Sequence, residues 1–205
     1  MRYIIIFLFI FCLSGDLLAK KIPAWDKDYK EWTYEDCQSF YQNESPWKAS
    51  HINYSEEGIG LVVAYWWTRL NVLASVRQKQ LEQRLDETAT NNLLQETLGL
   101  SGLSDSVIAF YITYGFKPRS RSRLSDDSFW RDIDLKVFLE LDETHSIRPF
   151  KYLALQKGYM LFFLKPDFLT IETKILFLTV NHKDQVYRLK FECFKMRSKG
   201  VPVFN

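Results

Sequence analysis

Cysteine is scarce in this chain, and so are the residue patterns that usually announce chemistry. There are three cysteines in 205 residues, Cys12, Cys37 and Cys193. No G-x-S-x-G, P-loop or G-x-G-x-x-G occurs, which leaves no motif for a serine hydrolase, a nucleotide or a cofactor. The three histidines, His51, His145 and His182, lie far apart in segments expected to be loops. None has the i, i+4 or C-x-x-C company of a metal ligand, so surface histidines are the reading. Charge of one sign is also missing. The formal net charge is +2, and no nucleic-acid footprint is present. Internal repeats and low-complexity tracts are absent. The longest apolar run, Tyr3–Leu13, holds eleven residues, against about 20 needed to span a bilayer.

That run does carry information. Arg2 precedes it, Ser14, Gly15 and Asp16 break it, and Leu17-Leu18-Ala19 offers a cleavage site before Lys20. This order is that of a secretory signal, which assigns residues 1–19 to export and residues 20–205 to one domain. The destination is periplasmic or extracellular. Lipid attachment at Cys12 is the alternative, but its neighbours Ile10 and Phe11 are bulky where small residues are wanted. Cys37 and Cys193 remain after processing. In an oxidising compartment an even pair is compatible with one disulfide. The other reading is two buried thiols acting as small hydrophobes.

Aromatic residues are what the chain has in abundance, at 16%. They concentrate in Trp32–Trp47, W-T-Y-E-D-C-Q-S-F-Y-Q-N-E-S-P-W. Thr33 followed by Asp36 has the spacing of a capping box, and Pro46 forbids helix beyond Ser45. A short helix is predicted over about Tyr34–Gln42, with residues 43–58 as loop. Ile59–Arg69 is branched and aromatic on both alternating sets, the mark of a strand covered on both sides. Leu70, Leu73, Val76, Leu81 and Leu85 then recur at helical spacing, with Asn71 as cap. Thr88–Asn92 interrupts, and a second short helix through Leu93, Leu94 and Leu98 is expected to end at Gly99.

From Ser106 onward strand chemistry dominates. Strands are predicted at Ser106–Tyr114, Ile133–Leu141, Ile147–Leu155, Tyr159–Leu164, Ile171–Val180 and Val186–Phe194. The last two form a hairpin around a five-residue loop, Asn181–Gln185. The sum is an α+β domain. About seven mostly antiparallel strands carry two or three helices from the N-terminal half packed on them.

Candidate sites are few. Trp47, Trp66 and Trp67 could line a ligand or partner surface, although burial is the commoner fate of such tryptophans. Lys117, Arg119, Arg121 and Arg123 form the densest charge cluster, suited to lipid headgroups or a carboxylate-bearing partner. A solvated loop is the plainer reading. Cys37 stands beside Glu35 and Asp36, a poor setting for a nucleophilic thiolate. The pairs Glu56-Glu57 and Asp126-Asp127 are expected to be solvated.

The Trp32–Thr33 and Ser45-Pro46-Trp47 elements, with Cys37 between, resemble a family of secreted bacterial proteins of unknown function. Its pattern is W-[ST]-x-x-[DE] followed by S-P-W. The resemblance extends to Tyr65–Leu85, Leu139-Glu140-Leu141, Ile147-Arg148-Pro149 followed by Tyr152, and the closing hairpin. The spacing from Trp32 to Ser45 is one residue longer here than in that pattern. It implies export and a single domain, and brings no activity, cofactor or catalytic residue.

Two functions compete on this reading. A non-enzymatic interaction or structural domain of the cell envelope, with an envelope protein as partner, predicts an exposed apolar patch or sheet edge. A small-ligand binder or hydrolase with its site between helices and sheet, near Trp47, Trp66 and Trp67, predicts a closed pocket with converging polar groups.

Overall fold

The order of strands follows from which segments are apolar on one face and which on two. The computed structural model describes residues 22–56, 58–118, 136–141, 144–155, 158–182 and 185–204. The strand richest in branched and aromatic residues, β2 (Gly58–Trp67), lies inside a five-stranded antiparallel sheet. It is flanked by β1 (Lys48–Tyr54) and β3 (Val107–Pro118), and the sheet continues through β7 (Gly158–Leu164) to β6 (Lys151–Leu155). Burial alternates strictly along β2, with Val62, Ala64 and Trp66 turned inward and the intervening residues half-buried. Four further strands form a second antiparallel sheet, in the order β5 (Ser146–Ile147), β4 (Lys136–Glu140), β8 (Leu176–His182), β9 (Gln185–Phe191). A small hairpin of β10 (Arg197–Ser198) and β11 (Val201–Pro202) follows. The fold class is α+β, as the residue pattern predicts.

The two larger sheets face each other across one core. Trp66, Phe110 and Leu161 are in register across the first sheet, and Leu139, Leu178 and Leu189 across the second; all six are buried. Phe191 joins the two layers, its ring centroid 5.3 Å from Phe110 and 5.7 Å from Trp66. β1 lies against β9, where His51 Nδ1 is 3.0 Å from the Arg188 carbonyl oxygen. The remaining edges, β6 and β5, lie at the other seam. Arg148-Pro149-Phe150 carries the chain across it from one sheet to the other.

Three α-helices among the described residues pack on these sheets. α1 (Tyr34–Ser39) starts in a capping box in which Asp36 N–H donates to Thr33 Oγ1 at 3.2 Å and Thr33 N–H to Asp36 Oδ2 at 3.1 Å. α2 (Arg69–Gln83) packs between α1 and α3 (Glu87–Ser101). The Arg77 side chain of α2 donates to the Trp32 carbonyl at 3.1 Å, and the Tyr41 hydroxyl donates to the Asn71 carbonyl at 3.2 Å.

The aromatic segment is the joint between these helices and the core. Trp32, Phe40 and Trp47 are fully buried with Trp25 packed against them, at centroid separations of 4.9–5.8 Å. Two long-range bonds tie the joint to the end of the chain. Trp47 Nε1 donates to the Val203 carbonyl at 3.2 Å, and Trp66 Nε1 donates to the Phe204 carbonyl at 3.0 Å. The β10–β11 hairpin holds the other flank, where Lys199 N–H donates to Asp26 Oδ1 and Ser198 Oγ to the Trp25 carbonyl.

Several elements differ from expectation for identifiable reasons. Residues 48–54 are a full strand, not loop; its inward positions are Ala49, His51 and Asn53, so the apolar alternation that marks a strand is missing. α1 stops at Ser39, short of Gln42. α2 begins one turn earlier than Asn71 suggests, because Thr68 is the cap and Asn71 Oδ1 reaches back to Thr68 N–H at 2.9 Å. Asp86 caps α3 through Ala89 N–H, so the helix runs through Thr88–Asn92 and past Gly99 to a left-handed Gly102. β3 likewise continues through Gly115 to Pro118. Ile147–Leu155 is two strands in two sheets, parted at Pro149, which has no N–H to donate to a ladder. Residues 171–175 are not strand, because Thr173 folds back onto Thr170 and Phe168. Strands therefore number eleven among the described residues, more than about seven.

Trp47→Ala is expected to lower stability by about 3–5 kcal/mol, since it opens a cavity and removes the bond to Val203. A urea midpoint equal to wild type would remove the aromatic joint from its place in the fold. Asp36 gives a pH-dependent test. Burial alone would raise its carboxyl pKa, but bonds from the Lys27 ammonium, 2.9 Å away, and from Thr33 outweigh that and hold it below the usual carboxylate range. A depressed folded pKa contributes stability that is present above the unfolded pKa and lost as pH falls through the folded one. Asp36→Asn should therefore cost about 1–3 kcal/mol at neutral pH, and the gap to wild type should shrink below about pH 4. An unchanging gap across that range assigns the loss to packing.

Candidate functional site

The residues singled out in the sequence do not converge. Trp47 and Trp66 are 0% exposed and belong to the core, so neither offers a surface to a ligand or partner. Trp67 is half-buried against Tyr41, ring centroids 6.3 Å apart. The backbone of Lys117 lies in β3, beside Ile59 of β2. Arg119, Arg121 and Arg123 lie outside the described residues, as do Glu57 and the Asp126-Asp127 pair. His51 sits in β1 and not in a loop; His182 ends β8, and His145 precedes β5. Among the described residues no three His, Cys, Asp or Glu side chains gather to hold a metal ion. No helix there is long and apolar enough to cross a membrane.

Cys37 and Cys193 are buried free thiols rather than a disulfide. Burial pushes the Cys37 thiol up to about 11, with nearby Asp36 adding to the rise and Arg77 opposing it. Burial, opposed by a backbone hydrogen bond, pushes the Cys193 thiol up to about 12. Both are protonated at neutral pH and neither is an activated nucleophile.

What the structure does bring together lies at the open seam. β6, Lys-Tyr-Leu-Ala-Leu, is the last strand of its sheet, paired only with β7 among the described residues. All five of its residues are exposed. Tyr152 is 59% exposed, Leu153 41% and Leu155 48%, and the flanking Phe150 and Leu164 reach 55% and 62%. Edges of this kind are usually blunted by charge, proline or a bulge, because their free N–H and C=O groups accept any passing strand. Here only Lys151 supplies a charge.

Where β6 begins, the surface sinks into an open groove of about 820 Å³. His145, Ile147 and Arg148 come from the end of the second sheet, and Phe150 and Leu164 from the first. The turn Lys165–Phe168 supplies the rest of the lining. That turn is held by Leu169 N–H donating to the Pro166 carbonyl at 2.9 Å. Phe150 N–H donates to the Phe162 carbonyl at 2.9 Å, which anchors the mouth of the groove to β7. The Arg148 guanidinium lies 5.1 Å from the Phe138 ring centroid, a cation–π contact that orients it. No ion pair joins Arg148 or Lys165 to a carboxylate among the described residues.

In the sequence, Ile147-Arg148-Pro149 and Tyr152 stand out only as part of a resemblance. The groove is not legible there, because Arg148 and Lys165 are separated along the chain and come to line one groove only where β7 ends beside the start of β6. The exposed edge left a faint trace, since K-Y-L-A-L lacks the polar alternation of a strand with one solvated face.

Comparison with protein-family profiles, with curated proteins and with solved structures returns no match for this chain. The site is therefore read from its own chemistry. As free buried thiols, Cys37 and Cys193 should leave the thermal midpoint indifferent to reductant. A drop on reduction in wild type that is absent from Cys193→Ser would instead reveal a disulfide.

Proposed function

We propose that this chain is an exported, non-enzymatic interaction domain of the cell envelope, and that it takes an extended segment of a partner protein along β6. The observation that carries the reading is the exposed edge, paired only with β7 among the described residues: five exposed residues in a row, continuous with exposed Phe150 and Leu164. A partner strand added there gains main-chain hydrogen bonds from the edge and apolar contacts from alternate side chains. The signal-like order of Arg2, Tyr3–Leu13 and Leu17-Leu18-Ala19 supports export, and envelope proteins are the partners available on that side.

A ligand-binding or hydrolytic reading finds one supporting feature, the presence of His145 and Asp167 in the same groove. Both side chains are exposed and the groove is open. Acid–base sites are usually withdrawn from water, which this open surface does not provide. The seam between helices and sheet favours that reading still less, as Trp47 and Trp66 are buried without access to solvent.

The test is a photo-crosslinking side chain at Leu153, placed in the full chain in intact cells. A discrete adduct from Leu153, absent when the same group replaces exposed Lys79 of α2, is expected. Leu153→Lys should leave stability within about 0.5 kcal/mol of wild type and abolish crosslinking from a second probe at Leu155. Equal labelling from Leu153 and Lys79 would overturn the assignment of β6.

A further inference from the structure

We propose that the groove at the start of β6 receives the C-terminal carboxylate of the partner segment, with an apolar last residue beneath it. The proposal rests on the β6 reading and adds to it the chemistry of the partner.

Direction comes from the sheet. Its neighbouring strands are antiparallel throughout, and a segment that continues this order runs opposite to β6. Its C-terminal end then arrives at Phe150, where β6 begins. β7 ends beside that point at Leu164, and the chain turns at once through Lys165–Phe168. These residues line the groove beside Phe150. A segment whose last residue lies at Phe150 sets its terminus against that lining.

Charge and polarity agree. Arg148 and Lys165 present two fixed cations against the single carboxylate of Asp167, with exposed His145 alongside. Neither cation is satisfied by an ion pair among the described residues, and Arg148 is steadied on Phe138 with its planar fork available. A guanidinium in that state matches the two oxygens of a carboxylate. Ile147, Phe150, Leu164 and Phe168 supply apolar walls. They suit an uncharged side chain on the last residue and would leave a second charge poorly solvated.

The test uses the full chain and a random peptide library displayed with free carboxyl termini. Enriched peptides are synthesised as free acid and as C-terminal amide, and binding is read by fluorescence anisotropy. Enriched sequences should end in apolar residues, and the acid should bind about tenfold or more tighter than the amide. Arg148→Gln with Lys165→Gln should erase the difference between acid and amide, while Leu153→Lys weakens both forms. The acid–amide comparison is made on wild type, so it stands even if the double variant folds poorly. Equal affinity of acid and amide, with binding still lost in Leu153→Lys, overturns the groove and leaves the edge reading intact. No enrichment, or peptides indifferent to Leu153→Lys, overturns both. A concentration-dependent dimer that Leu153→Lys converts to monomer would assign the edge to a second copy of this chain and overturn the proposal.

Discussion

Two indole N–H groups hold the ends of this protein to its middle. Trp47 and Trp66 donate to the carbonyls of Val203 and Phe204, more than a hundred residues away along the chain. Both rings are excluded from water, and a buried indole N–H without a partner is costly. The C-terminal carbonyls meet that need while Phe204 stacks on Trp66, centroids 5.6 Å apart. The α1 segment, the first sheet and the C-terminal tail are therefore fixed by the same two side chains. With the tail in place and β1 set against β9, one seam of the sandwich is closed. At the other seam, β6 has β7 as its one strand partner among the described residues.

How much of this could be read in advance differs from element to element. The capping box at Thr33 and Asp36 is local chemistry, and it forms as its spacing predicts. The doubly covered strand at β2 and the alternation of Tyr187, Leu189 and Phe191 are also properties of single segments. β1 is not legible because its inward face is buried Ala49 with half-buried His51 and Asn53, whose place in the sheet is set by β2 and not by their own hydrophobicity. The split at Pro149 was legible in principle, since a proline cannot donate to a ladder. The switch between two sheets that it produces is tertiary and was not.

The candidate site shows the same division. The tryptophans attracted attention by their size, and size is also why the core took two of them. Lys117, Arg119, Arg121 and Arg123 formed a cluster in sequence, where proximity is easy to see. The groove instead brings Arg148 and Lys165 to one place through the antiparallel pairing of β6 with β7, and no short window contains both. What leaves β6 at an edge is that no second strand lies beside it among the described residues, which a single segment cannot encode. The thiols are a simpler case, because an even pair in an exported chain suggested a bond that depends on a geometry sequence does not contain.

The account depends most on β6 being open in the free protein. Amide hydrogen exchange followed residue by residue tests this directly. Amides of β2 and β8, each bonded to a strand on both sides, should exchange slowly throughout. Along β6 slow and fast amides should alternate, the slow ones bonded to β7 and the fast ones facing solvent. Uniformly slow exchange from Lys151 to Leu155 would mean that the edge is already covered, and the proposed docking strand would have to be abandoned.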